Sequence, residues 1–150
     1  MQTMAERLES LKAGIISAIS LSLAFLITSL VNTMVLVQYF PTLASLYTNI
    51  NFHWWLTGGI AGLSGFLFGV TYRYIIRTDN NTQLKSGAVL AFGLVRGLTQ
   101  LNSTDNIIPD LVQAGESIFW FAMGAIALDT AIQIRWVKPF PSTNDREQLN

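Results

Sequence analysis

From Ala13 to Leu36 the chain carries no charged side chain. About 20 consecutive apolar residues suffice to cross the hydrocarbon core of a bilayer as a helix. In lipid, every backbone N–H and C=O of such a segment has to be satisfied within the helix itself. The run therefore predicts a membrane-spanning helix. Its polar members are Ser and Thr, with Asn32 near the far end. It outlasts the apolar region of a signal peptide and has no convincing small-residue cleavage site after it, so it reads as a retained span.

The composition agrees. Only 12% of the residues are charged and 51% are apolar, against about 25% charged in an average soluble domain. That deficit is expected of a chain solvated by lipid. There is no cysteine, which excludes disulfides, iron–sulfur clusters, thiolate zinc sites and thiol catalysis. His53 is the one histidine, so two histidines of one chain cannot hold a haem.

The sequence divides into an N-terminal lead-in (1–12), a transmembrane domain (13–137) and a polar C-terminal tail (138–150). Residues 3–12 read as a short amphipathic helix with Leu8 and Leu11 on one face. Spans are expected at about 13–36, 54–74, 86–101 and 111–134. Pro41 breaks the helix before it, and Gln38 to His53 reads as an uncharged interfacial loop. Trp54 and Trp55 open the second span, as tryptophans at a headgroup boundary do. Asp79, Asn80 and Asn81 make a polar turn. Span three is short and interrupted by Arg96; a re-entrant helix is its alternative. Asn102, Asp105, Asn106, Pro109 and Asp110 fill the third loop.

The basic residues favour four crossings. Arg7, Lys12, Arg73, Arg77, Lys85, Arg135, Lys138 and Arg146 all fall on one side of a four-span chain, and only Arg96 lies within a span. With three crossings, the last three would change sides. The positive-inside bias thus predicts an all-α, polytopic four-helix bundle with both termini on the cytoplasm-like side.

Gly58, Gly62, Gly65 and Gly69 lie on one stripe of span two, and Gly93 and Gly97 repeat the pattern in span three. Small residues let helices approach closely in lipid, where hydrophobicity does not drive association. Helix packing is the first reading. A groove for a pigment or lipid ring, or a face for another subunit, is the second. Chlorophyll or carotenoid contact is thereby left open, with no cofactor predicted.

A charge near the centre of a span costs ~2.5–3.5 kcal/mol on insertion scales, so it pairs or faces a polar cavity. Matched depth predicts two structural ion pairs, Arg96 with Glu116 and Arg73 with Asp129. A proton or ion pathway through these residues is the alternative. His53 beside the tryptophans reads as an interfacial anchor, with a chlorophyll-magnesium ligand as the sharper alternative. No phosphate-binding glycine loop, HExxH, GxSxG or EF-hand loop occurs. Tyr72, Tyr74 and the neighbouring arginines sit at a membrane boundary and make no nucleic-acid surface.

Lys85-Ser86-Gly87-Ala88-Val89-Leu90-Ala91-Phe92-Gly93-Leu94-Val95-Arg96-Gly97-Leu98 is one distinctive stretch. Others are Tyr72-Arg73-Tyr74 and Ala127-Leu128-Asp129-Thr130-Ala131-Ile132 with Trp136-Val137-Lys138-Pro139-Phe140-Pro141. Together they resemble a family of small multi-span membrane proteins of cyanobacteria, with chloroplast relatives in plants. The resemblance covers roughly residues 54–141. It implies a thylakoid or cytoplasmic membrane of a cyanobacterium as the setting and carries over no functional residues. With no nucleophile–base or metal constellation, the expectation is a non-enzymatic accessory or assembly protein of a photosynthetic membrane complex. Its partners would be the bilayer and other membrane subunits. A small transporter or channel subunit is the alternative.

Overall fold

Thr3 and Glu6 set the start of the first helix in the computed structural model, which describes residues 3–46, 49–77, 81–101 and 106–141. Thr3 Oγ1 accepts from the Glu6 N–H, and the Thr3 N–H donates to the Glu6 carboxylate, each at 3.3 Å. This reciprocal capping box satisfies two helix-end donors. Lead-in and first span are therefore one continuous helix, α1 (Met4–Tyr39), and no boundary falls at Ala13. At 1.5 Å per residue α1 is about 50 Å long, longer than a hydrocarbon core of ~30 Å. Asn32–Leu36 within it winds as a π turn. Pro41 crowds the residue before it, and Phe40 accordingly leaves the helix with φ −126° and ψ 98°. A 3-10 turn, Pro41–Leu46, follows and buries Leu43 and Leu46, so part of the expected loop is helical.

Asparagines set the next two starts. Asn51 Oδ1 accepts from the Trp54 N–H at 3.0 Å, and α2 spans Phe52–Ile76. Asn81 Oδ1 accepts from the Gln83 N–H at 2.9 Å, and α3 spans Thr82–Leu98. Each cap lies upstream of the apolar run it serves, so both helices begin earlier than hydropathy suggests. Thr99 and Gln100 form a turn after α3. α4 is Ile108–Gln133, with Pro109 in its first turn, where a missing N–H costs nothing. It stops at Arg135, whose φ of 62° turns the chain back so that the Trp136 N–H reaches the Ala131 carbonyl at 2.9 Å.

Among the described residues the fold is all-α, with no strand. α1, α2 and α4 are each long and apolar enough to cross a membrane. Their outward faces carry exposed Ile19, Leu23, Leu30, Leu63 and Ile126. These three helices fit an integral membrane protein in contact with lipid. The expected polar turn at Asp79 and Asn80, the stretch Asn102–Asp105 and the tail from residue 142 lie outside the described residues.

The glycines fix how the helices meet. A Cβ on Gly65 would stand 2.9 Å from the Ser17 carbonyl oxygen, and one on Gly69 would overlap the Ala13 carbonyl. α2 therefore lies backbone to backbone on α1. Gly58 and Gly62 continue the contact more loosely, against Phe25 and Ser22. Gly93 abuts the Ile118 backbone and Gly97 that of Ala114, which seats α3 antiparallel on α4. Gly124 joins them, its face filled by Leu21 and Ser17 of α1. Leu21, Phe68, Phe121 and Leu128 form the middle of the core, almost wholly buried. Phe68 meets Tyr72, Phe92 and Phe121 at ring-centroid distances of 5.2 Å each, within the range favoured by aromatic pairs.

Candidate functional site

The two ends of the bundle differ. At the basic end, Arg73 is 2% exposed. Its Nη1 donates to Ser10 Oγ at 2.7 Å and to the Glu6 carbonyl at 3.3 Å, and its Nε donates to the Lys138 carbonyl at 2.8 Å. The guanidinium also lies over the Phe140 ring, 5.6 Å from its centroid. One fork thus ties α2 to the start of α1 and to the segment after α4. Glu9 completes the clamp by accepting from the Lys138 N–H at 2.9 Å and from Lys12 Nζ at 2.8 Å. Glu9 precedes the charge-free run. Partial burial works against its charge, but the Lys12 and Lys138 hydrogen bonds and the charges of Lys12 and Arg73 outweigh that, and its carboxyl is held below the ordinary value.

Asp129 is occupied elsewhere. Tyr72 Oη donates to its Oδ1 at 3.1 Å, and Lys85 Nζ stands 3.4 Å from its Oδ2. The expected Arg73–Asp129 pair is therefore replaced by two separate sets of contacts. The reason is helical geometry: successive residues diverge by about 100°. With the glycine stripe holding α2 on α1, Arg73 faces α1 and Tyr72 faces α4.

Arg96 and Glu116 do not pair either. α3 touches α4 at Ala114 and Ile118. Glu116 and Trp120, one turn apart, share a face of α4 turned away from Ala114 and Ile118, and Glu116 lines a cavity there together with Asn32 of α1. The Arg96 guanidinium instead sits over the Trp120 ring, 5.1 Å from its centroid, and its buried Nε has no hydrogen-bond partner. Ion pairs among the described residues join Lys12 to Glu9 and Lys85 to Asp129.

At the end opposite the clamp a cavity of ≈ 450 Å³ opens among α1, α2 and α4. Asn49, Asn51 and His53 stand exposed at its mouth. Asn32, Gln100, Gln113 and Glu116 give its walls polar character, and Phe25, Trp54 and Trp120 its aromatic part. Asn32 is 7% exposed, and its Oδ1 has no hydrogen-bond partner; Trp54 Nε1 is likewise buried and unpartnered. Trp120 Nε1 donates to Thr28 Oγ1 at 3.1 Å, so its indole is held in place.

A second hollow, ≈ 410 Å³, lies between α2 and α3. Ser64, Leu67, Ala91, Phe92 and Val95 line it, with Arg96 at the Thr99 end. It is apolar apart from that guanidinium and two hydroxyls. Among the described residues no three His, Asp or Glu side chains gather in a metal-holding group.

Sequence reasoning singled out Glu116, Arg96 and His53 but passed over Gln100, Gln113 and the role of Asn32. Asn32 carried a usable signal, since it lies as deep from the far end of its span as Glu116 does from the start of its own. A scan against protein-family models, a search of the curated proteins and a search of the solved structures each found no match to this chain.

Proposed function

We propose that this chain is a four-span membrane protein, N-in and C-in, acting as a non-enzymatic accessory or assembly subunit of a larger membrane complex. The carrying observation is the α2–α3 groove. There an arginine faces apolar side chains, without an acid among the described residues as ion-pair partner. A cation at membrane depth calls for an acceptor. A neighbouring subunit that fills the groove would supply it. The resemblance to cyanobacterial and chloroplast membrane proteins is what favours a photosynthetic complex and a thylakoid-type membrane.

Two observations support the fourth crossing. α3 runs along α4 from the Lys85–Asp129 contact to the Gly97–Ala114 contact. Its 17 residues give about 25 Å, only a few ångströms short of the hydrocarbon core, a mismatch that flanking residues and bilayer thinning absorb at modest cost. The orientation rests on the basic residues gathered at the clamp end. The transporter alternative draws on the Glu116 cavity, but Leu21, Phe68 and Phe121 in the middle of the core are almost wholly buried, which favours a closed pocket over a conduit.

Single cysteines test the topology cleanly because the chain has none. An impermeant thiol reagent should label Asn81→Cys from one side and Asn51→Cys and Asn106→Cys from the other. Labelling of all three from one side sinks the four-span reading. Purification in mild detergent with mass spectrometry tests the assembly role. Co-purifying membrane subunits that are lost in Arg96→Leu support it. A lone chain in native membranes, unchanged by Arg96→Leu, refutes it.

A further inference from the structure

Three features of the polar cavity converge on one kind of ligand. The first is a buried acceptor without a donor. Asn32 Oδ1 is buried and has no hydrogen-bond partner. Glu116, whose carboxylate when ionised accepts at about four sites, lines the same wall. Buried acceptors without donors are costly, so native sites fill them with protein, water or ligand.

The second is the aromatic wall. Phe25 lies between Trp54 and Trp120, with ring centroids 5.3 and 5.6 Å away. Aromatic faces attract cations, most of all when the site is shielded from water. The third is charge. Glu116 is the one acid in the wall; Arg96 lines the neighbouring groove, and its guanidinium covers the Trp120 ring, so Phe25 and Trp54 are the aromatic residues left to a ligand. His53, the other ionisable side chain, is exposed at the mouth. Asn32 also opens the π turn of α1, and π turns occur frequently at functional sites.

We propose that this cavity binds a primary ammonium group, held by Glu116 and Asn32 Oδ1 against the Phe25–Trp54 part of the aromatic wall. A quaternary ammonium would satisfy the aromatic wall but leave both acceptors without donors, so an N–H-bearing head is the better fit. The volume exceeds that of a free small amine and accommodates an aminoalkyl headgroup. The same chemistry can come from an ethanolamine lipid or from a soluble amine. This inference is independent of the assembly role, because it concerns a different hollow.

The test uses the full chain in nanodiscs of phosphatidylglycerol, titrated with ethanolamine and followed by calorimetry and tryptophan emission. Saturable binding is expected, with ethylene glycol, in which a hydroxyl replaces the ammonium, failing to compete. Glu116→Gln should weaken binding about tenfold or more, the worth of a charge-assisted hydrogen bond. Choline should bind more weakly than ethanolamine. Nanodiscs containing phosphatidylethanolamine separate the sources. Loss of the free-amine signal there identifies the headgroup as the ligand, and an unchanged signal identifies a soluble amine. Equal binding of ethylene glycol overturns the proposal. So does the absence of saturable ethanolamine binding in phosphatidylglycerol discs. Both comparisons use the unaltered protein, so they stand even if Glu116→Gln fails to fold.

Discussion

Arg73 Nη1 stands 2.7 Å from Ser10 Oγ, and this contact links the second helix to the first at the point where the C-terminal segment also arrives. The arginine serves three neutral oxygens from two parts of the chain. Its charge is spread over a planar fork that a lysine does not possess. Arg73→Ala would strand these acceptors and open a void, and it should lower stability by roughly 2–4 kcal/mol. Arg73→Lys should recover only part of that loss. Thermal unfolding in detergent measures both, and a fully stable Arg73→Lys would show that the fork geometry is dispensable.

The same clamp should respond to acid. The folded chain holds the Glu9 carboxyl below its ordinary value. Protons are then bound more readily by the unfolded chain, so the contribution is fully present above the unfolded pKa and fades as pH falls through the lower, folded one. The clamp should therefore loosen below the usual carboxylate range, and Glu9→Gln should flatten that part of the stability profile. A profile in Glu9→Gln identical to the parent's would assign the acid sensitivity to other groups.

The glycine stripe gives a graded series within one helix. Gly65 and Gly69 meet backbone atoms of α1, Gly62 meets only the Ser22 hydroxyl at 3.2 Å, and Gly59 faces open space. Gly69→Ala should therefore abolish accumulation or lower the melting temperature sharply, because two backbones would have to separate. Gly62→Ala should cost little, since a hydroxyl can rotate away. Gly59→Ala should be neutral or slightly stabilising through helix propensity. Equal effects at Gly69 and Gly59 would mean that α2 does not pack on α1 through this stripe.

Much of the fold was legible because lipid imposes a strong pattern. The charge-free run, the glycine spacing and Pro41 each have one dominant physical meaning. Helix starts were less legible, because Thr3, Asn51 and Asn81 cap from outside the apolar runs and hydropathy does not register a cap. Pairing was least legible. Matched depth placed Arg96 near Glu116, but depth fixes only one cylindrical coordinate. Gly93 and Gly97 seat α3 on Ala114 and Ile118, and from there the guanidinium comes to rest one turn past Glu116, on Trp120. That seating was not encoded in the charged residues themselves.

One test separates two pairings of this arginine. The Arg96 guanidinium sits over Trp120, while Glu116 lines the cavity with Asn32. A double-mutant cycle isolates the energy shared by two side chains. For Arg96→Leu with Trp120→Leu, the coupling should be about 0.5–2 kcal/mol, the range of a cation over an aromatic face. For Arg96→Leu with Glu116→Gln it should be close to zero in detergent stability. Asn32 lines the same wall as Glu116, so Asn32→Ala should couple to Glu116→Gln where Arg96→Leu does not. A strong Arg96–Glu116 coupling with none to Trp120 would restore the ion pair expected from depth.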